Sequence, residues 1–273
     1  MRKSRVVTFR LGGFECEALQ AQFGVERFDR HFHETYSIGL VTAGTNVFAY
    51  RGRMIEVEAG AICLADPGEA HDGGRSGSAW GYVNAFAPAG LMKALAEDAG
   101  LQGPPAFAAA RVFDPACSSR LHRWLQLLFN EQAEEGEVAQ AGFEALGSLI
   151  ARHAEGARSA RSVVRDGHVA RRALEALHDG WTEALTLEDL AKASGSSRFA
   201  VIRAVSAATG LTPHAYLLQL RVARAKDLIR AGTSLAEAAL ACGFADQAHL
   251  SRAMQRRWGA APGAFKTGRR IPG

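Results

Sequence analysis

The stretch Leu187–Tyr216, LEDLAKASGSSRFAVIRAVSAATGLTPHAY, returns in altered form at Leu235–Phe265, LAEAALACGFADQAHLSRAMQRRWGAAPGAF. The period is 48 to 49 residues, the second copy being one residue longer between its two glycines. The aligned pairs are Leu187/Leu235, Ala191/Ala239, Gly195/Gly243, Gly210/Gly259, Pro213/Pro262 and Tyr216/Phe265. A self-match at fixed period is the mark of a repeated supersecondary unit.

Each copy reads as a helix-turn-helix. A short helix presents Ala191 or Ala239 where a second helix crosses closely. Gly195 or Gly243 then makes the turn, because glycine takes positive φ without steric cost. The second helix begins near Ser196-Ser197 in one copy and near Asp246 in the other, all good N-cap residues. It packs through Val201, Ala204 and Val205, or through Leu250, Ala253, Met254 and Trp258. Both copies end at a glycine, and a proline three residues on opens the next segment. Between them, residues 213–232 are predicted to form a longer helix that holds the units at fixed separation.

Charge follows the same division. Residues 1–160 hold 15 Lys and Arg against 19 Asp and Glu, a net −4, whereas residues 161–273 hold 17 against 9, a net +8. A basic half joined to an acidic one predicts that the basic half meets a polyanion. Upstream of the repeat, residues 168–178 form a further amphipathic helix. Residues 156–167 are small, polar and basic, which predicts a linker between a first domain (1–155) and a second (168–273).

The first half has another rhythm. Residues 6–87 alternate short apolar runs with turns: Tyr36–Val41, Asn46–Tyr50, Met54–Val57, Ala61–Leu64 and Trp80–Phe86, separated at Ala43-Gly44, Arg51-Gly52, Ala59-Gly60, Asp66-Pro67-Gly68 and Asp72-Gly73-Gly74. Such spacing predicts a small β-sandwich or barrel. Helices follow at 88–99, along the stripe Leu121, Trp124, Leu125, Leu128 and Phe129, and at 138–153; they cover the barrel, supply a dimer seam, or do both. The fold class expected is therefore α+β with two domains: a β-barrel with helices on its C-terminal side, then an all-α bundle with two helix-turn-helix motifs. Cys16, Cys63, Cys117 and Cys242 are scattered without a CxxC pair, which argues against a zinc ribbon or disulfide framework. No segment has the pattern of a signal peptide or the length of a membrane span, which predicts a cytoplasmic protein.

The second half resembles the AraC-type DNA-binding domain over residues 168–267, most closely in ALACGFADQAHLSRAMQRRWGAAPGAFK (Ala239–Lys266). The resemblance implies two recognition helices in successive major grooves, about 34 Å apart. Together with helix geometry it selects Ser197, Arg198, Phe199, Ile202 and Arg203 in the first helix, and Gln247, His249, Arg252 and Arg256 in the second, as DNA-facing. Arg203 and Arg252 suit guanine and Gln247 suits adenine, while Arg198 and Arg256 suit phosphate. Ile202 stands where a polar reader is common, which assigns that unit either to reading thymine methyls or to a smaller share of the specificity. The first half, in HFHETYSIGLVTAGTNVFAYRGRMIEVEAGAICLADPGEAHDG (His31–Gly73), resembles the cupin-like sensory domain that often precedes this unit. That likeness implies effector contacts at Arg30, His71 and Tyr82, with His31, His33 and Tyr36 beside them.

His31 and His33 lie two apart on a predicted strand and so face one way. With His71 they form a candidate site for a divalent metal. Metal-binding cupins place a glutamate four or five residues after the second histidine, where this chain has Ser37 and Ile38. The leading reading is therefore an effector-responsive, sequence-specific DNA-binding transcription regulator, not an enzyme, with double-stranded DNA and a small-molecule effector as partners, self-association as a homodimer, and RNA polymerase as a further contact. The alternative is a metal-dependent cupin enzyme, a dioxygenase or isomerase, which requires those three histidines on a metal.

Overall fold

The computed structural model describes residues 4–74, 77–155, 167–183, 185–266 and 269–271. All of the expected linker except Gly167 lies outside the described residues. The described chain falls into two compact units. The first holds residues 4–27, 33–155 and 269–271, and the second holds 28–32 and 167–266.

The strands in chain order are β1 Ser4–Leu11, β2 Phe14–Phe23, β3 Phe28–His31, β4 Tyr36–Ala43, β5 Thr45–Tyr50, β6 Arg53–Glu58, β7 Ile62–Ala65, β8 His71–Gly73, β9 Trp80–Ala87, β10 Ala106–Phe107, β11 Arg111–Val112, β12 Ala154–Glu155 and β13 Arg269–Ile271. Within the first unit a seven-stranded sheet runs β11-β7-β4-β9-β2-β1-β13, a second sheet runs β8-β5-β6, and β10 pairs with β12. The expected runs from Tyr36 onward are all strands. β1 and the ten-residue β2 are longer than the apolar runs suggest, since Glu15, Glu17, Gln20 and Gln22 interrupt them. Register shows why they hold: Leu11 pairs with Phe14 and Phe9 with Cys16, so apolar residues meet across the ladder.

The turn at Arg51-Gly52 is decided locally. Tyr50 pairs with Arg53, leaving a two-residue loop. Arg51 has φ 48° and Gly52 φ 74°, the doubly positive pattern of a hairpin turn matched to strand twist. Arg51 is held there: its guanidinium donates to Asp66 at 2.9 Å, to Glu69 at 3.0 Å and to the Phe107 carbonyl at 3.0 Å.

Three helices belong to this unit: α1 Ala89–Asp98, α2 Pro115–Phe129 and α3 Glu135–His153. The stripe read from sequence is the buried face of α2, with Leu121, Trp124, Leu125 and Leu128 all at most 2% exposed. Trp124 meets Phe9 of β1 edge-on at 5.7 Å, and these side chains join those of β2, β4, β9 and α3 in one core. Each such burial stabilises by about 1.5–3 kcal/mol. Asp114 caps α2, accepting from the Ala116 and Cys117 amides while its second oxygen accepts from Arg152 at 2.7 Å and His153 at 2.8 Å. One carboxylate thus starts α2 and ties down the end of α3.

The second unit carries α4 Gly167–Asp179, α5 Leu187–Ser194, α6 Arg198–Thr209, α7 Pro213–Arg230, α8 Leu235–Ala241, α9 Gln247–Trp258 and α10 Pro262–Lys266. The repeat is visible in its caps. α5 opens with a reciprocal capping box between Thr186 and Asp189, and α8 with one between Ser234 and Glu237. The glycines named from sequence all have positive φ: 62° at Gly195, 71° at Gly210, 70° at Gly243 and 66° at Gly259. α7 is the long connecting helix that was expected.

Candidate nucleic-acid interface and effector site

In both copies the packing residues read from sequence are buried. Val201, Ala204 and Val205 of α6, and Leu250, Ala253 and Met254 of α9, are at most 5% exposed. That fixes the rotation of each helix and therefore what it offers outward. On α9, Arg252 and Arg256 are exposed and one turn apart, opposite Leu250 and Met254; Gln247 is exposed at the N-terminal end. On α6, Arg203 is exposed opposite Val201 and Val205, and Arg198 is exposed in the first turn, 3.7 Å from Glu188.

Three expected readers have other neighbours. Ser197 uses its hydroxyl as the N-cap of α6, accepting from the Ala200 amide at 3.2 Å. His249 is half-buried, its ring edge-on to Phe244 at 5.1 Å, so it buttresses the turn of the second motif. Ile202 is half-buried and lines an apolar cavity of about 310 Å³ with Leu177, Leu190 and Leu217, rather than standing fully outward as expected. The cause is elementary: an apolar side chain at the edge of the packing face turns to apolar neighbours. The Phe199 side chain lies outside the described residues.

Sequence reading passed over the side chain that organises this unit. Arg221 of α7 donates from Nε to the Trp181 carbonyl at 2.8 Å, from Nη2 to Glu183 at 2.7 Å and from Nη1 to Gly243 at 3.0 Å. The first two carbonyls lie between α4 and α5, and the third is in the turn of the second motif. Lys226, also on α7, sits 4.0 Å from the centre of the Trp258 ring at the end of α9. Two cations that composition assigns to the polyanion thus hold the motifs together instead.

In the first unit, His33 and His71 face each other with ring centres 5.2 Å apart, and His33 also meets Phe86 at 4.8 Å. β3 ends at His31, which belongs to the second unit, so His33 lies just beyond the strand and the pair within the first unit is His33 and His71. His71 Nδ1 is 2.9 Å from the Glu69 carbonyl and His31 Nδ1 is 2.7 Å from the Asp29 carbonyl. A carbonyl only accepts, so each Nδ1 carries a proton, which in the neutral ring leaves the lone pair on Nε2. This is the tautomer of a metal-ligating or ligand-accepting imidazole. Among the described residues, no carboxylate joins the group.

The remaining expected effector residues divide. Tyr82 stacks with Trp80 at 5.0 Å and Phe23 at 5.7 Å, an aromatic trio that sequence did not single out, and burial pushes its phenol up from the ordinary value. Tyr36 is committed to the core: its hydroxyl donates to the Pro105 carbonyl at 2.6 Å, and burial pushes its pKa up to about 12. Arg30 belongs to the second unit, where its Nε donates to the Gly210 carbonyl at 2.8 Å. That hydrogen bond is made within the second unit, whereas His71 and Tyr82 belong to the first.

Residues 14–151 match the model of the AraC-like ligand binding domain, and residues 190–268 match a helix-turn-helix domain. The chain belongs to the AraC family of transcription regulators. As an AraC-family regulator it pairs a ligand-binding barrel with a DNA-binding bundle, and its partners are DNA and an effector. It is 27% identical over 237 residues to the HTH-type transcriptional regulator YbfI of Bacillus subtilis, covering 86% of this chain and 85% of that one. It is 24% identical over 276 residues to the HTH-type transcriptional activator RhaS of Citrobacter koseri, covering 96% of each. Its fold is similar to the crystal structure of ToxT from Vibrio cholerae, with a TM-score of 0.51 at 12% identity, covering 98% of this chain and 99% of that one. Among the described residues, no helix is long and apolar enough to cross a membrane.

Proposed function

We propose that this AraC-family regulator senses an anionic or polyhydroxyl small molecule at the histidine-bearing end of its barrel, and that the bound effector changes its affinity for an operator. The observation that carries the reading is the His33–His71 pair, 5.2 Å apart within the unit matched to the ligand-binding domain. Imidazoles are donors or acceptors according to charge and suit such ligands. The effector shifts DNA affinity only by as much as it prefers one arrangement of the chain over another. We further read the chain as a cytoplasmic homodimer that contacts RNA polymerase and catalyses no reaction.

The His33–His71 approach within the first unit also supports a second reading, in which a divalent cation is held by the histidines that the sequence singles out, His31, His33 and His71. The donor chemistry fits nickel, zinc or iron, which accept neutral imidazole nitrogen. A cation there would fix three side chains and supply a Lewis acid to an effector oxygen.

A thermal-shift screen of the full chain against sugars, sugar acids and small carboxylates tests the first reading, because a ligand of the native state raises apparent stability. A hit abolished by His71→Ala, and shifting the retention of a DNA fragment from the chain's own upstream region, supports it. Hits insensitive to both His33 and His71 contradict it. Metal analysis of the purified chain decides the second: stoichiometric metal lost in His33→Ala supports a cation, and its absence after growth with added metal excludes it.

A further inference from the structure

We propose that a groove between α2 and β4, on the first unit and away from the histidines, is a second small-molecule site, for a small organic carboxylate. It has a volume of about 340 Å³, within the range of small-ligand sites. Leu40 and Val41 of β4, both buried, supply an apolar floor. Ser118, His122 and Gln126 come down one face of α2 at four-residue intervals, with Arg123 beside them. Basic and neutral polar groups thus line one wall, and no carboxylate lines the groove. That inventory suits a molecule with an anionic end and a short apolar body.

Ser118 is the observation that separates this groove from an ordinary surface depression. It is 8% exposed, and among the described residues its hydroxyl has no hydrogen-bond partner. A serine inside a helix normally turns its hydroxyl to the carbonyl four residues back, as Ser194 does to Leu190 at 2.7 Å. Ser118 does not. A buried polar group without a partner is costly, and one that lines a groove is satisfied by what binds there. Arg123 supplies the charge. Among the described residues its acidic neighbour is Glu137 at 3.4 Å, and both side chains are about half or more exposed, so the pair is weak and yields to a carboxylate.

The test uses the full chain with acetate, benzoate and succinate as probes and benzyl alcohol as the uncharged control, read by calorimetry and ligand-observed NMR. Saturable binding of at least one acid, but not of benzyl alcohol, is expected. Arg123→Gln should weaken it about tenfold. Ser118→Ala should weaken it about three- to tenfold while melting at or above the parent temperature, since it removes an unpaired buried hydroxyl. Binding that survives both substitutions places the acid elsewhere and overturns the assignment. So does the absence of saturable binding by all three acids. A Ser118→Ala chain that binds normally shows the hydroxyl has no ligand role and also overturns it.

Discussion

Arg221 and Gly243 are joined twice over: the Arg221 guanidinium donates to the Gly243 carbonyl at 3.0 Å, and a Cβ at position 243 would lie 2.8 Å from the Arg221 Cζ. Glycine at 243 is thus required by its φ of 70° and by the arginine stacked on it. The same guanidinium reaches the Trp181 and Glu183 carbonyls, so a side chain on the connecting helix sets the second motif relative to the first.

Arg221→Gln should destabilise the second unit by about 1–2 kcal/mol, since three charged hydrogen bonds to backbone carbonyls, two of them exposed and one half-buried, are lost together. Gly243→Ala should cost about 1–3 kcal/mol through backbone strain and the contact with Arg221. The double variant should cost less than the sum, because removing the guanidinium removes part of the clash. Chemical denaturation of the four chains checks this. Strict additivity would show that the two residues act independently.

Ile202 tests whether α6 reads thymine methyls or packs. Ile202→Ala should lower stability by about 1–2 kcal/mol, scaled down from a full core truncation because the side chain is only half-buried. It should change DNA affinity by less than threefold, a difference of about 0.6 kcal/mol. A large affinity loss at unchanged melting temperature would restore the reading role inferred from sequence.

Asp114 gives a pH signature. Arg152 first, and then His153, hold its carboxyl well below the usual carboxylate range. A depressed carboxyl contributes stability that is complete above the unfolded pKa of about 3.9 and is lost as pH falls toward the folded value. Asp114→Asn should therefore lower the melting temperature by a constant amount above about pH 5, and the gap to the parent should shrink progressively below pH 4. A gap that widens with acid would contradict the capping-and-clamp role.

The architecture was legible because its determinants are local. Gly195, Gly243 and the caps at Ser197 and Asp246 encode turns and helix starts by their own backbone preferences, and Leu250, Ala253 and Met254 encode burial by spacing. The site was less legible, because function here depends on which cation goes where. Arg203, Arg221, Arg252 and Arg257 look alike in sequence, yet Arg221 binds backbone carbonyls and Arg257 is 6% exposed with Asp29 at 3.8 Å, while Arg203 and Arg252 face outward. Arg30 was assigned to the effector site by resemblance, and within the second unit its Nε donates to the Gly210 carbonyl, a contact that spacing does not show. The His33–His71 approach was half legible: period-two spacing gave a common face, but β3 stops at His31, and the closeness comes from tertiary placement.

We propose that α9 reads bases through Arg252 while Arg256 holds phosphate, and salt-dependent binding of an operator selected from random DNA tests this most directly. Arg252→Ala should cost about 1–3 kcal/mol on the selected site and relax preference at one base pair, with little effect on non-specific DNA. Arg256→Ala should weaken all sequences alike and reduce the salt slope by about one. If Arg252→Ala binds and footprints like the parent chain, the assignment of the α9 reading face is wrong.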